Sequence, residues 1–424
     1  MTNLSSRRSF LTKAAVAAAI TPFASAFGQG YEEAVDQTPK ASSPSDLKIT
    51  DIKCGYIPGS LFVKIYTNQD IWGCGEGADA VPGTYYLVKN FGERIKGKSP
   101  LNVHRLFEDI RKSGFFQGAQ SGMYVAVLSA IEAALWDLAG KALHLPVYQL
   151  LGGKFRDKIR VYCDTALYQR NLPTPDDFAA AATKAKNMGF NAMKFDLDQA
   201  NDPHKYDRYN WTAGPAELQR MYDELSAARQ AVGPSIDICA DMHGRYDAVT
   251  AQAIAKRLEP LNLMWLEEPI PAENVEAYKL ITEATSTPIC AGENHYLAYG
   301  FRRMMEIGAV DIIMPDLQKC GGLGEGQRIA NLAGLYYVPF APHMVASFLG
   351  AMATAHVCAS VPNFMIMEWQ SYFHTQPMFK EIVTYDGEWV KDSFMTVSEK
   401  PGIGVEINEA GMKKYAIQGV PFFE

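Results

Sequence analysis

Apolar and polar positions keep two different rhythms along the chain. From residue 47 to 77 they alternate: Ile49 and Ile52, then Leu61-Phe62-Val63-Lys64-Ile65-Tyr66, then Trp72-Gly73-Cys74-Gly75-Glu76-Gly77. A period of two marks strands with one buried face, and Asn68-Gln69-Asp70 offers a turn, so an antiparallel meander is predicted. Residues 82–150 change to a spacing of three and four. Val127, Ala130, Ile131, Ala134, Leu135 and Leu138 form one stripe between Met123 and Leu143, which predicts a long helix. An α+β domain over residues 47–155 is the economical reading.

From residue 159 short runs rich in branched side chains alternate with amphipathic segments of helix length. Eight strands are predicted: Arg160–Asp164, Ala192–Asp196, Ile236–Asp241, Leu263–Glu267, Ile289–Glu293, Asp311–Asp316, Tyr337–Pro342 and Phe364–Glu368. The helices between them are punctuated. Thr174-Pro175-Asp176-Asp177 supplies an N-cap, a first-turn proline and acids at the positive end of the dipole, and Gly189 closes that helix. Leu218, Met221, Leu225 and Val232 make the stripe of the next, which stops at Gly233. Strand–helix units with short apolar strands form parallel sheet, and eight of them predict a (β/α) barrel over residues 156–379. The interval between Asp196 and Asp241 is long enough to hold an insertion, Asp198 to Gly214, with Tyr206, Tyr209, Asn210 and Trp211. An aromatic, polar loop at a barrel mouth suits either sugar recognition or an oligomer contact.

Composition narrows the function. Of 424 residues, 48% are hydrophobic and 21% charged, an ordinary globular balance that excludes disordered and fibrous classes. The 40 Lys+Arg against 47 Asp+Glu give a net charge of -7, which argues against a nucleic-acid binder but not against a small anionic substrate. No run of 18 consecutive apolar residues occurs, so no membrane span and a soluble protein are expected. The seven cysteines are scattered without a C-x-x-C, and several sit in apolar runs, as buried free thiols do.

The chemistry gathers at predicted strand ends. Asp241, Glu267, Glu293, Asp316, His343 and Glu368 follow one another at intervals of about one strand–helix unit. In a barrel such positions converge on the C-terminal face. Three carboxylates from neighbouring strands, Asp241, Glu267 and Glu293, repel one another unless a hard divalent cation neutralises them. Mg²⁺ fits best, because it leaves room for water and substrate oxygens.

Asp241, the Glu267-Glu268-Pro269 run after Trp265-Leu266, and Gly292-Glu293-Asn294 resemble the metal-binding pattern of the enolase superfamily. The helix from Ala130 to Lys141, followed by Leu150-Leu151-Gly152-Gly153, is similar to the end of its capping domain. The resemblance implies a (β/α)₇β TIM-like barrel with an N-terminal α+β capping domain, and residues 380–424 returning to complete the cap. Lys194-Phe195-Asp196 lacks the second lysine of the Lys-x-Lys found in mandelate racemase-like members. Pro315-Asp316 and Pro342-His343 resemble the Asp–His dyad of the mandelate racemase and acid-sugar dehydratase group, and Asp241-Met242-His243-Gly244 resembles D-galactonate dehydratase-like members.

The resemblance implies one Mg²⁺ per site and dehydration of an aldonate-type sugar acid to a 2-keto-3-deoxy acid. His343 would take the proton alpha to the carboxylate, with Asp316 fixing its tautomer and raising its basicity. His243 would protonate the departing beta-hydroxyl, and Glu368 would share a hydrogen bond with the enediolate oxygen. Lys194 would bind the substrate carboxylate or a ligand carboxylate. Arg245 would pair with a substrate carboxylate or with Asp247, and His295 could face the pocket. His104, His144, His204, His356 and His374 read as surface or packing residues. Two rival readings are a racemase or epimerase of an alpha-substituted carboxylate, and an exported sugar-acid-binding protein without turnover.

Ser6-Arg7-Arg8-Ser9-Phe10-Leu11, the Ala-rich run from Ala14 to Ile20 and Ala24-Ser25-Ala26 together resemble a twin-arginine export signal over residues 1–26. Residues 27–46 read as a linker. The expected location is the periplasm. Expected partners are the twin-arginine export machinery, a small anionic sugar acid and further copies of the chain in a homo-oligomer, with no membrane contact after processing.

Overall fold

A computed structural model describes residues 46–424 apart from 166, 168–170, 208, 210 and 371–374. The signal at 1–26, the linker up to residue 45, Asn210 and His374 lie outside the described residues. The alternating N-terminal segment forms the antiparallel sheet β1 (Ile49–Ile57), β2 (Ser60–Thr67) and β3 (Trp72–Ala78), in that spatial order. Its inner face lies on the helix Gly122–Leu143. A Cβ on Gly73 or Gly75 would come within 2.2 Å of that helix's backbone oxygens, so only glycine allows so close an approach. By length and mean hydropathy this helix could cross a membrane, although polar residues such as Ser129, Glu132 and Asp137 interrupt it; 89% of its apolar window is buried here, and it is the core helix of the cap.

The second domain runs through β4 (Lys158–Asp164), β5 (Ala192–Asp196), β6 (Asp237–Asp241), β7 (Trp265–Glu267), β8 (Ile289–Ala291), β9 (Ile312–Ile313) and β10 (Met367–Trp369). They pair in parallel in the order β10-β4-β5-β6-β7-β8-β9. Where Tyr337–Pro342 is predicted as a strand, there are only single-residue parallel bridges, Ile313 with Phe340 and Phe340 with Phe364. The predicted strands Ile289–Glu293 and Asp311–Asp316 end two or three residues early. Gly292 (φ 145°) turns the chain after Ala291, and a Cβ there would press on the backbone of Met314.

Period two explains what the barrel presents. Tyr162, Ala192, Cys239, Trp265, Cys290, Ile312, Met314, Ala341 and Ile366 form a separate apolar cluster, the inward-facing layer of the sheet. Two residues further on, the same faces carry Asp164, Lys194, Asp241, Glu267, Asp316, His343 and Glu368. Pairing register sets Asp196 beside Asp241 and Asp241 beside Glu267 at one level.

Two buried carboxylates of the cap grip the barrel. Glu76 accepts from Ser347 N (2.8 Å) and Gly350 N (3.1 Å) at the start of the helix Phe348–Ser360. Glu132 accepts from Leu323 N (2.7 Å) and Gly324 N (2.9 Å) at the start of the helix Leu323–Gly334. Negative charge is favoured at a helix N-terminus, and these two helices follow the loops that carry His343 and Asp316. The C-terminal segment first adds Phe394–Thr396 antiparallel to β4. It then reaches the cap, where Ile403 N donates to Asp137 and Phe423 N to Cys54 O.

Candidate active site

Asp241 and Glu267 end β6 and β7, and Glu293 follows the Gly292 turn. One oxygen from each lies within 4.8 Å of the others. Lys194, 3% exposed, sets its ammonium among Asp241 Oδ2 (2.9 Å), Glu267 Oε1 (2.9 Å) and Glu368 Oε1 (3.0 Å). Of its two expected roles the structure shows contact with ligand carboxylates. Trp265 Nε1 donates to Glu267 Oε2 (2.9 Å), so the tryptophan beneath the site orients the carboxylate above it.

On the other side of this cluster His343 Nδ1 bonds Asp316 Oδ2 at 2.8 Å, while Nε2 lies 3.1 Å from Glu293 and 3.5 Å from Glu368. Asp316 is itself held by Gln318 N (2.8 Å), and Glu368 accepts from Met344 N (3.0 Å). His243, in the left-handed region at φ 47°, bonds Asp198 Oδ1 through Nδ1 at 2.9 Å and points Nε2 to within 3.7 Å of Asp241.

The charges act on one another. Burial disfavours the His343 imidazolium, but Glu293, Glu368 and Asp316 outweigh it and raise the group to about 10. Burial also disfavours the Lys194 ammonium, and its three carboxylates more than restore it. Burial and the neighbouring Asp241 carboxylate push Glu267 well above the usual range. Burial pushes Asp241 the same way, but His243 and Lys194 win and lower it. His243 is raised by Asp241 first, against burial, and then by Asp198.

This surplus of buried anion fits a hard divalent cation. Asp241, Glu267 and Glu293 offer only oxygen donors, and neighbouring Lys194 is a cation already drawn to two of them. Asp196, Asp241 and His243 are equally compact, but this second group offers an imidazole nitrogen among its three donors, and a hard cation prefers oxygen, so it suits such an ion less well.

Other predicted contacts fall differently. Arg245 does not pair with Asp247. Asp247 caps the helix Ala248–Leu258 through Thr250, and Arg245 instead lies 3.5 Å from Asp198 Oδ2 and over the Trp211 ring. His295 is buried against Phe301 with no hydrogen-bond partner for Nδ1 among the described residues, and burial lowers it to about 4. Among the described residues, no hydrogen bond or ion pair joins it to the carboxylate cluster. A cavity of about 520 Å³ opens beside His243, lined by Leu167, Asn171, Asp196, Asp198, Asn201 and Arg245 among others. Asp198 was not among the expected site residues, although it continues the inward alternation Lys194, Asp196, Asp198. Lys319, three residues past Asp316, also escaped notice; its buried ammonium reaches Asp79 of the cap (3.3 Å) and Asn294 (3.4 Å).

Comparison with known proteins agrees with this arrangement. Residues 177–411 match the family model described as enolase C-terminal domain-like, and residues 41–152 that of the mandelate racemase / muconate lactonizing enzyme N-terminal domain. The chain is 35% identical to D-xylonate dehydratase of Haloferax volcanii over 92% of this chain and 94% of that one. It is 31% identical to D-galactonate dehydratase of Variovorax paradoxus over 83% and 90%. A crystal structure of a mandelate racemase/muconate lactonizing enzyme-like protein from Rubrobacter xylanophilus superposes with a TM-score of 0.86 at 39% identity, covering 89% of this chain and all of the other. The 3,6-anhydro-D-galactonate cycloisomerase of Zobellia galactanivorans superposes at 0.77 with 27% identity, over 88% of this chain and all of that one. Cap, barrel and carboxylate cluster thus define a member of the enolase superfamily. Within it, the chain belongs to the mandelate racemase / muconate lactonizing enzyme family.

Proposed function

We propose that the protein is a Mg²⁺-dependent sugar-acid dehydratase, a hydro-lyase that converts an aldonate to its 2-keto-3-deoxy acid. The observation that carries this reading is the placement of two carboxylate-held histidines. His243 follows the third barrel strand and His343 the seventh segment, which lie half a circumference apart, with the carboxylate cluster between them.

Asp241, Glu267 and Glu293 would hold the cation. When bound, it supplies positive charge against the substrate carboxylate as the alpha carbon gives up its proton. His343 Nε2 takes that proton, since Asp316 occupies Nδ1 and leaves Nε2 the working atom; a cation on Glu293 would offset the carboxylate that does most to keep His343 protonated and so free it to act as a base. His243 Nε2 delivers a proton to the beta-hydroxyl, which otherwise leaves as hydroxide. Glu368, bonded to Lys194 and to Met344 N, borders His343 and takes part in orienting the reacting carboxylate. An epimerase needs a second base opposite His343. Asp196 stands where the family's second lysine would, and this favours elimination.

The relatives named above act, by their names, on D-xylonate and D-galactonate, so five- and six-carbon aldonates are the first substrates proposed. Residues 1–26 are proposed as an export signal that delivers the enzyme to the periplasm, and self-association is proposed alongside it. Incubation with a panel of aldonates and Mg²⁺ should yield a semicarbazide-reactive keto acid from at least one. Solvent-exchanged epimers without keto acid would replace the reading with epimerisation, and tight binding without turnover would replace it with a binding protein.

A further inference from the structure

The geometry points to Asp198 as the positioning residue for the proton donor, the carboxylate of a second Asp–His pair; the inference rests on the dehydratase reading. Asp198 Oδ1 meets His243 Nδ1 at 2.9 Å, as Asp316 Oδ2 meets His343 Nδ1 at 2.8 Å. An imidazole held at Nδ1 by a carboxylate has its ring orientation fixed and only Nε2 left for proton exchange. In both pairs that free nitrogen faces the carboxylate cluster, 3.1 Å from Glu293 for His343 and 3.7 Å from Asp241 for His243.

The two pairs need different support. The His343 side chain is 9% exposed and packed in place, whereas that of His243 is 37% exposed and would rotate unless held. The insertion from Asp198 to Gly214 supplies the hold. Leu197 N donates to Asp241 O (3.0 Å), and Arg220 Nη2 donates to Leu197 O (2.9 Å). Gln199 Nε2 donates to Glu224 Oε1 (2.9 Å), so the chain is fixed on both sides of Asp198. Arg220 also pairs with the buried carboxylates of Asp202 and Glu224. Further along, the wholly buried Lys205 ammonium meets Glu217 at 2.6 Å and lies 4.0 Å over the Trp211 ring. Arg245, also over the Trp211 ring, takes the second Asp198 oxygen at 3.5 Å. Buried ion pairs add little net stability, but they discriminate strongly against geometries that leave a charge unpaired. Here the geometry they hold is the approach of Asp198 to His243.

In the dehydration the alpha proton passes to His343 Nε2 and the C–H electron pair becomes the new C=C bond. The beta C–O bond breaks, and the hydroxyl leaves as water with the proton from His243 Nε2. The enol then tautomerises to the 2-keto acid, and both histidines re-equilibrate with solvent. Asp198→Asn preserves size but removes the anionic acceptor at Nδ1. Dehydration turnover should fall about 10- to 100-fold, the usual effect of removing a histidine's outer partner, with KM little changed. Asp198→Glu should restore part of it.

The deciding substrate is the 3-deoxy-3-fluoro analogue of whichever aldonate the wild type dehydrates. Fluoride departs without needing a proton, so its release, read with a fluoride electrode, should be nearly the same in Asp198→Asn as in wild type. Native dehydration by Asp198→Asn overturns this inference alone, as does an equal loss of fluoride release, which marks general damage. A wild type that dehydrates no aldonate overturns the dehydratase reading, and this inference falls with it.

Discussion

Replacing Lys194 with methionine removes the ammonium at the centre of the carboxylate cluster and keeps most of its volume. In wild type that charge lies 2.9 Å from Asp241, 2.9 Å from Glu267 and 3.0 Å from Glu368. At an effective dielectric near 20, each such contact corresponds to about 5–6 kcal/mol of attraction. Desolvation of the ions returns much of it, and removal of one partner of a buried pair costs about 3–5 kcal/mol. The variant should lose about that much stability at pH 8 in EDTA. The loss should shrink toward pH 5, as the orphaned carboxylates take up protons instead. A divalent cation that binds the same oxygens should then replace the missing charge. Mg²⁺ at about 100 times its Kd adds about 2.7 kcal/mol to a folded state that alone binds it. Without a competing ammonium the variant should bind more tightly than wild type, so its Mg²⁺-dependent stabilisation should be the larger. Urea unfolding, followed by tryptophan fluorescence in EDTA and in MgCl₂, measures both effects. A variant as stable as wild type in EDTA, or one with no greater response to Mg²⁺, refutes the electrostatic description of the site.

Glu267→Gln and Asp241→Asn should both abolish turnover and weaken Mg²⁺ binding in calorimetry, and unchanged Mg²⁺ binding in both would show that the cation sits elsewhere. Apo stability should hold or rise in Glu267→Gln, which relieves repulsion among crowded acids, and fall in Asp241→Asn, because Lys194 and His243 favour that carboxylate ionised. His356 is buried and neutral, with Nδ1 accepting from Tyr148 N and Nε2 donating to Ile403 O, and burial lowers it to about 4. Its contribution is present above pH 6.5 and is lost as pH falls toward 4, by up to about 3 kcal/mol, so melting temperature should fall across that interval and less steeply in His356→Asn. Changing Arg7 and Arg8 together to Lys should stop export, and fractionation of cells expressing wild type should find a periplasmic protein starting near Phe27; an uncleaved cytoplasmic wild type would refute the signal.

The repeat of short apolar strands and capped helices was enough to predict cap and barrel, because strand period and helix punctuation are local properties. Convergence at strand ends was legible for the same reason: Cys239 to Asp241, Trp265 to Glu267 and Ile366 to Glu368 each climb the inner wall by two residues. What was hidden depends on partners distant in sequence. Glu293 breaks the two-residue step because Gly292 bends the chain, a conformation that shows only in the backbone. Arg245 has Asp247 two residues away, yet Asp198 takes it, since Asp247 is already spent on the N-cap of its own helix. Glu217 and Glu224 look like surface acids on an amphipathic helix, but Lys205 and Arg220 bury them. The Tyr337–Pro342 run has strand-forming residues and keeps only Phe340 in ladder contact.

The most direct test compares the two histidines in one assay. Each variant is incubated with the turned-over aldonate and Mg²⁺ in D₂O, with keto acid followed by semicarbazide and alpha-deuterium by NMR. His343→Asn should show neither keto acid nor alpha exchange, because nothing removes the proton. His243→Asn should lose dehydration by about 10²–10⁴-fold, the usual worth of a general acid, while alpha-deuterium still appears in recovered substrate. Exchange that persists in His343→Asn, or native dehydration by His243→Asn, would contradict the assignment of base and acid.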